Sequence, residues 1–202
     1  MVSSSNFEPD SPQETNRVFM FGRSWSDYET LLAMRGEEGS RPKLAYLDGV
    51  IELVSPGRPH EKLKSWIGRL LETYAAETGV ELSAYGEWTQ KSKPKGAGAE
   101  PDECYVFGPT PEDVDVPDLV IEIVWTSGGI NKLEIYRRFG VREVWYWIKG
   151  AIHVYALRDL GYEDVSTSQF VPGVDLRLLC SFLDRPTMTA AIKDYRDALR
   201  AK

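Results

Sequence analysis

Pro117-Asp118-Leu119-Val120-Ile121-Glu122-Ile123-Val124 is the stretch on which the fold turns. Val, Ile and Leu dominate it and Pro117 punctuates its start, which predicts a buried central strand. Side chains alternate across a strand, so Asp118, Val120, Glu122 and Val124 share one face and Leu119, Ile121 and Ile123 the other. A carboxylate in mid-strand is costly unless it is paired, protonated or bound to a metal. Glu122 therefore calls for partners, and Asp102 on the preceding strand and Lys132 on the following helix are the candidates. Asp118 is not one, because four residues of strand put it roughly 13 Å from Glu122.

Upstream, Leu63, Trp66, Ile67, Leu70, Leu71 and Tyr74 recur at i, i+3, i+4, i+7, i+8 and i+11. This predicts an amphipathic helix that ends at Gly79. Before it, Leu44–Leu47, Asp48-Gly49 and Val50–Val54 predict a hairpin through a tight Asp-Gly turn. Ser24 or Ser26 caps a shorter helix ahead of the hairpin. Between the long helix and the central stretch, residues 80–90 and 102–107 read as strands separated by a basic loop at 91–98. Downstream, a helix over about 130–139 ends at Gly140, a second hairpin spans 144–157, residues 162–168 add an edge strand, and a last helix covers about 187–201. The Met1–Asn16 stretch is polar and reads as a flexible tail, followed by one domain over 17–202. The order of core elements is αβββαβ. The fold class is α/β, in the sense of an α+β mixed sheet flanked by helices, with hairpins added at the N-terminal and C-terminal ends.

With 202 residues and 42% hydrophobic content the chain can bury a substantial core. It has no apolar run long enough for a membrane span and no signal-peptide pattern. Two cysteines, Cys104 and Cys180, offer neither a disulfide framework nor zinc-ligand spacing. A cytoplasmic location is expected. The net charge of −7 argues against a general nucleic-acid coating protein, though not against an enzyme with a local basic groove.

Each candidate residue also has a plainer reading. Asp102 alone reads as a turn aspartate, Lys132 as a solvated helix lysine, Glu122 as half of a buried salt bridge, and His60 as a hydrogen bonder at a helix start. Glu52 sits on the inner hairpin face, while Glu87 and Glu100 read as solvated. Trp125, Trp145, Tyr146 and Trp147 read as packing. Taken together, two carboxylates and a lysine converging on a sheet suit metal-assisted phosphodiester hydrolysis. Mg²⁺ prefers oxygen ligands, and an ion held there polarises a phosphate and acidifies a water.

Several stretches carry a family resemblance: Tyr46-Leu-Asp-Gly-Val-Ile-Glu-Leu-Val-Ser-Pro56 with His60, Glu100-Pro-Asp-Glu-Cys-Tyr105, Pro117-Asp-Leu-Val-Ile-Glu-Ile123, Ser127-Gly-Gly-Ile-Asn-Lys-Leu-Glu-Ile-Tyr136, and Gly140-Val-Arg-Glu-Val-Trp-Tyr-Trp147. In these the chain resembles the Uma-type restriction endonucleases of the PD-(D/E)XK nuclease superfamily, over roughly residues 20–185. The resemblance implies a restriction-endonuclease-like core and a metal-dependent DNA endonuclease. Asp102 matches the Asp of the PD element, and Glu122 matches the acidic residue of the (D/E)XK element. Both would hold Mg²⁺, with Mn²⁺ as an alternative ion. The usual lysine position holds Val124 here, and Lys132 stands as its counterpart. His60 and Glu52 match recurrent residues with supporting roles. The runner-up reading is a catalytically silent nuclease-fold module that binds nucleic acid or protein. A homodimer is expected, because duplex cleavage takes two cuts and the Trp145–Trp147 segment offers apolar surface if it is not buried.

Overall fold

The computed structural model describes residues 16–36, 41–109, 114–125 and 128–201. The chain runs β1 (Asn16–Met20), α1 (Trp25–Arg35), β2 (Lys43–Leu47), β3 (Val50–Ser55), α2 (Arg58–Thr78), β4 (Leu82–Ala84), β5 (Gln90–Ser92), β6 (Ala97–Ala99), β7 (Glu103–Phe107) and β8 (Leu119–Val124). It continues with α3 (Lys132–Phe139), β9 (Glu143–Ile148), β10 (Ala151–Arg158), β11 (Gly161–Val165), α4 (Leu176–Cys180) and α5 (Met188–Arg200).

The central stretch forms β8, the third strand from one edge of a six-stranded sheet ordered β11-β10-β9-β8-β7-β4. β8 runs parallel to β9 through the α3 crossover, and its other neighbour β7 is antiparallel. The alternation read from sequence is what positions the two sides. Leu119, Ile121 and Ile123 face the stripe Trp66, Ile67, Leu70, Leu71 and Tyr74 of α2, with α4 and α5 completing that layer. Val120 faces the other way and packs with Ile135, Tyr136 and Phe139 of α3. Ile67, Leu70 and Leu71 are fully buried, and each contributes about 1.5–3 kcal/mol relative to exposure. α2 ends where Gly79 takes a left-handed conformation at φ 74°, a geometry glycine adopts without a Cβ penalty.

Five expectations need correcting or extending. The strand expected over 80–90 splits in two. Gly86 turns the chain at φ +61°, so Leu82–Ala84 pairs with β7 while Gln90–Ser92 enters a different sheet. The expected basic loop at 91–98 is instead a tight hairpin between β5 and β6. The N-terminal hairpin does not stand alone: β2 and β3 are the centre of a five-stranded antiparallel sheet ordered β1-β3-β2-β6-β5, closed by Tyr28 and Leu32 of α1 on Leu44, Tyr46 and Ile51. Of the expected tail, residues 1–15 lie outside the described residues, and Asn16 already belongs to β1, which pairs with β3 along its whole length. Lastly, Trp145 and Trp147 are buried in the core, so they leave no apolar surface for a second copy. Ser127 and parts of the loops after Gly36 and Pro109 also lie outside the described residues. Among the described residues no helix is long and apolar enough to cross a membrane.

Candidate active site

Asp102 sits where the chain passes from one sheet to the other. β6 belongs to the outer sheet and β7 to the core sheet, and Glu100-Pro101-Asp102 is the link between them. The β7–β8 ladder reaches Glu103 opposite Ile121. Beyond it the side chain of Asp102 takes over, its Oδ2 accepting from the Ile123 amide at 2.8 Å. The same oxygen lies 3.1 Å from Nε2 of His60, in the first turn of α2, and Oδ1 accepts from Nζ of Lys43 at 2.7 Å. Burial alone would raise the Asp102 pKa, but the charge of Lys43 and the hydrogen bond and charge of His60 hold it well below the usual carboxylate range.

Glu122 lies one strand over and is also buried. Its Oε2 accepts from Lys132 Nζ at 2.6 Å, and its Oε1 accepts from the Tyr136 hydroxyl. Lys132 and Tyr136 are four apart on α3, so both reach back to one carboxylate from the same helix face. Asn131 caps that helix by accepting from the Glu134 amide. Burial, with the nearby charge of Asp102, pushes Glu122 above its ordinary pKa against the pull of Lys132. Tyr136 is driven far up by burial and by Glu122, so its hydroxyl stays a donor.

The supporting groups are as tightly arranged. Lys43 is buried and also donates to the Pro101 carbonyl at 3.1 Å, with Glu87 at 3.3 Å. His60 would be pulled down by burial, but its hydrogen bond to Asp102, aided by Glu61, outweighs that and lifts its pKa to about 9. It is therefore an imidazolium at neutral pH. Among the described residues its Nδ1 has no hydrogen-bond partner, and Glu61 lies 3.7 Å away, a Coulombic distance rather than a bonding one. Glu52 on β3 is buried with Arg17 of β1 at 2.8 Å.

Asp102, Glu122, Lys132, His60 and Glu52 all line one pocket between the two sheets. The two glutamates expected to be solvated are not. Glu100 is buried in this pocket, with Arg35 donating to both its oxygens at 2.5 and 2.6 Å. Glu87, clasped by Arg41, Lys43 and Lys64, is held down at about 2 against its burial. Trp125, expected in the packing, is 39% exposed at the pocket rim. Lys43, Arg17 and Tyr136 are pocket or contact residues that the sequence did not single out. For Tyr136 a signal existed in its i, i+4 spacing from Lys132. For Lys43 and Arg17 there was none, because Lys43 reaches Asp102 on the link between the sheets and Arg17 reaches Glu52 from a neighbouring strand far away in sequence.

Each of the four carboxylates lining the pocket has a cation against it: Glu52 with Arg17, Glu100 with Arg35, Asp102 with Lys43, and Glu122 with Lys132. The protonated His60 is then an added positive charge. Among the described residues no three His, Cys, Asp or Glu side chains group as a ready-made metal cage. The donor set present is two buried carboxylates on adjoining segments with Ile123 beside them. This fits an ion such as Mg²⁺, which is usually held by one or two carboxylates and keeps its waters.

A model of the Uma2 family, described as "Putative restriction endonuclease", matches residues 25–183. A comparison with curated proteins finds no match. Among solved structures, a putative nuclease belonging to DUF820 from Anabaena variabilis shares the fold with a TM-score of 0.54. The two are 17% identical, over 75% of this chain and 96% of that one. The αβββαβ core and a family match spanning residues 25–183 together mean that the chain belongs to the Uma2 family of restriction-endonuclease-like proteins.

Proposed function

We propose that the chain is a metal-dependent DNA endonuclease that hydrolyses phosphodiester bonds in the pocket between its sheets. One observation carries this reading. Two buried carboxylates, Asp102 on the link before β7 and Glu122 on β8, open into one pocket with Lys132 bonded to the second. Asp102 and Glu122 would hold Mg²⁺ or Mn²⁺, with the Ile123 carbonyl as a further oxygen. A bound ion supplies charge to polarise the phosphate and to acidify a water. The protein's own groups do the rest. Lys43 and His60 keep Asp102 ionised and fixed, and Tyr136 fixes Glu122. Lys132, whose side chain is still partly open to solvent, donates to the attacking water or to a phosphate oxygen as negative charge grows there.

Cleavage of duplex and single-stranded DNA and of RNA, with Mg²⁺, Mn²⁺ or EDTA, tests the reading. Asp102→Asn and Glu122→Gln should reduce cleavage to background. Lys132→Ala should lower turnover on the order of 10²–10³-fold, as loss of a preorganised donor does, while calorimetric Mg²⁺ binding persists. Unchanged Mg²⁺ binding in Glu122→Gln would remove the central assignment, and binding of DNA without cleavage would point to the silent module instead. Cutting both strands of a duplex calls for two sites, so a homodimer belongs to the same proposal. A monomeric mass by light scattering in the presence of DNA would count against it.

A further inference from the structure

Two buried glutamates in the pocket are paired with arginines, and the two pairs are built differently. Arg35 is closed around Glu100: one guanidinium nitrogen donates to both oxygens, and Leu44 and Thr89 donate to the same carboxylate. Arg17 is not closed around Glu52. Its Nε is 2.8 Å from Glu52 Oε1, yet among the described residues neither atom makes an aligned hydrogen bond, so the contact is an ion pair. The Arg17 side chain is 23% exposed where that of Arg35 is 5%. It lines the carboxylate pocket and also the adjoining one around Glu122, Gly129 and Lys132. The backbone gives it room there. A Cβ on Gly129 would come within 3.3 Å of Arg17 Nη1 and 3.1 Å of Glu52 Oε1.

We propose that Arg17 is a substrate-binding residue, a guanidinium that takes the non-bridging oxygens of a nucleic-acid phosphate at the carboxylate pocket, with Glu52 as the residue that positions it. The inference rests on the phosphodiesterase reading above. A purely structural partner for Glu52 would turn a terminal guanidinium nitrogen onto the carboxylate, as Arg35 does on Glu100. Arg17 instead keeps its terminal nitrogens at the pocket wall, and a guanidinium matches phosphate bidentately where a lysine acts as a point charge. Lys132 and Arg17 both line the pocket around Glu122, so a phosphate drawn in between them would meet one donor from helix α3 and one from strand β1. Arg17 lies outside residues 25–183 that match the family, so the assignment belongs to this chain and its strand β1.

Wild type, Arg17→Ala and Arg17→Lys, each checked for an unchanged melting temperature, are compared on a labelled DNA duplex in Mg²⁺ over a salt series. Binding is followed in parallel by anisotropy with Ca²⁺ in place of Mg²⁺. Arg17→Ala should lose roughly 10–100-fold in kcat/KM, the scale of one charge-assisted hydrogen-bond pair. Its slope of log binding constant against log salt should flatten by about 0.9, the loss of one phosphate contact. Arg17→Lys should keep the salt slope and still lose turnover, because the charge survives and the fork does not. A folded Arg17→Ala with the wild-type slope and kcat/KM would overturn the assignment, as would an Arg17→Lys equal to wild type in turnover. If Arg17→Ala does not fold, Arg17→Lys decides alone. A wild type that binds but does not cleave would sink the hydrolytic reading, and the clamp would then stand or fall on the salt slope of Arg17→Ala.

Discussion

His60 shows how one side chain at this site links chemistry to stability. Its folded pKa of about 9 exceeds the ordinary 6.5 because Asp102 holds its proton. A raised pKa means the native state binds the proton more tightly than the unfolded chain. The stabilisation is therefore complete below about pH 6.5 and is lost as pH rises through about 9. Its scale is about 3 kcal/mol at 1.36 kcal/mol for each unit. Urea denaturation from pH 6 to 9.5 should show wild type weakening across that window. His60→Gln should be less stable at pH 6 and nearly flat across it. A wild-type profile without that slope would mean His60 is not the imidazolium partner of Asp102. The same arrangement explains why sequence could name Asp102 and not its environment. Glu122 was legible because apolar neighbours on both sides declared it buried. Lys43 sits in an unremarkable Lys-Leu-Ala-Tyr-Leu strand, and nothing local says that its ammonium crosses to the other sheet.

At the scale of elements, α2 was the most readable part of the chain, because a long 3.6-residue period leaves little else it can be. Its packing against the core sheet carries a test in which two effects oppose each other. Gly68 lies inside the helix, where alanine is favoured by about 1 kcal/mol. Yet a Cβ there would sit 2.7 Å from the Tyr105 hydroxyl on β7, which is itself fully buried. Overpacking of a buried contact costs about 1–3 kcal/mol, so Gly68→Ala should be net destabilising by chemical denaturation. A stabilised variant would show that α2 stands further from the sheet. Two of the elements that escaped reading take their identity from partners far along the chain. Asn-Arg-Val-Phe-Met of β1 has no alternation of its own and becomes a strand because β3 offers it a full edge. The 80–90 stretch has strand-like composition throughout, but Gly86 sends its two ends to different sheets. Lys132 was predictable because α3 follows β8 so closely that its first turn overhangs the strand end.

On the scale of the whole molecule, an ion held by Asp102 and Glu122 would bind the native state alone. Mg²⁺ at about 100 times its Kd should then add about 2.7 kcal/mol. Calorimetric melting should move upward with Mg²⁺ or Mn²⁺ for wild type and stay fixed for Glu122→Gln; equal shifts in both would place the ion elsewhere. Asp102 lies on the short link joining the sheets. It receives Lys43 from the outer sheet, His60 from α2 and the Ile123 amide from the core sheet. Its carboxylate is therefore a gauge of alignment: a slip of an ångström between the sheets would keep the strand pairing within each sheet and pull these contacts apart. On warming, the proposed cleavage activity should fail several degrees before circular dichroism reports melting, and it should return on cooling, because what is lost first is the seating of one sheet on the other.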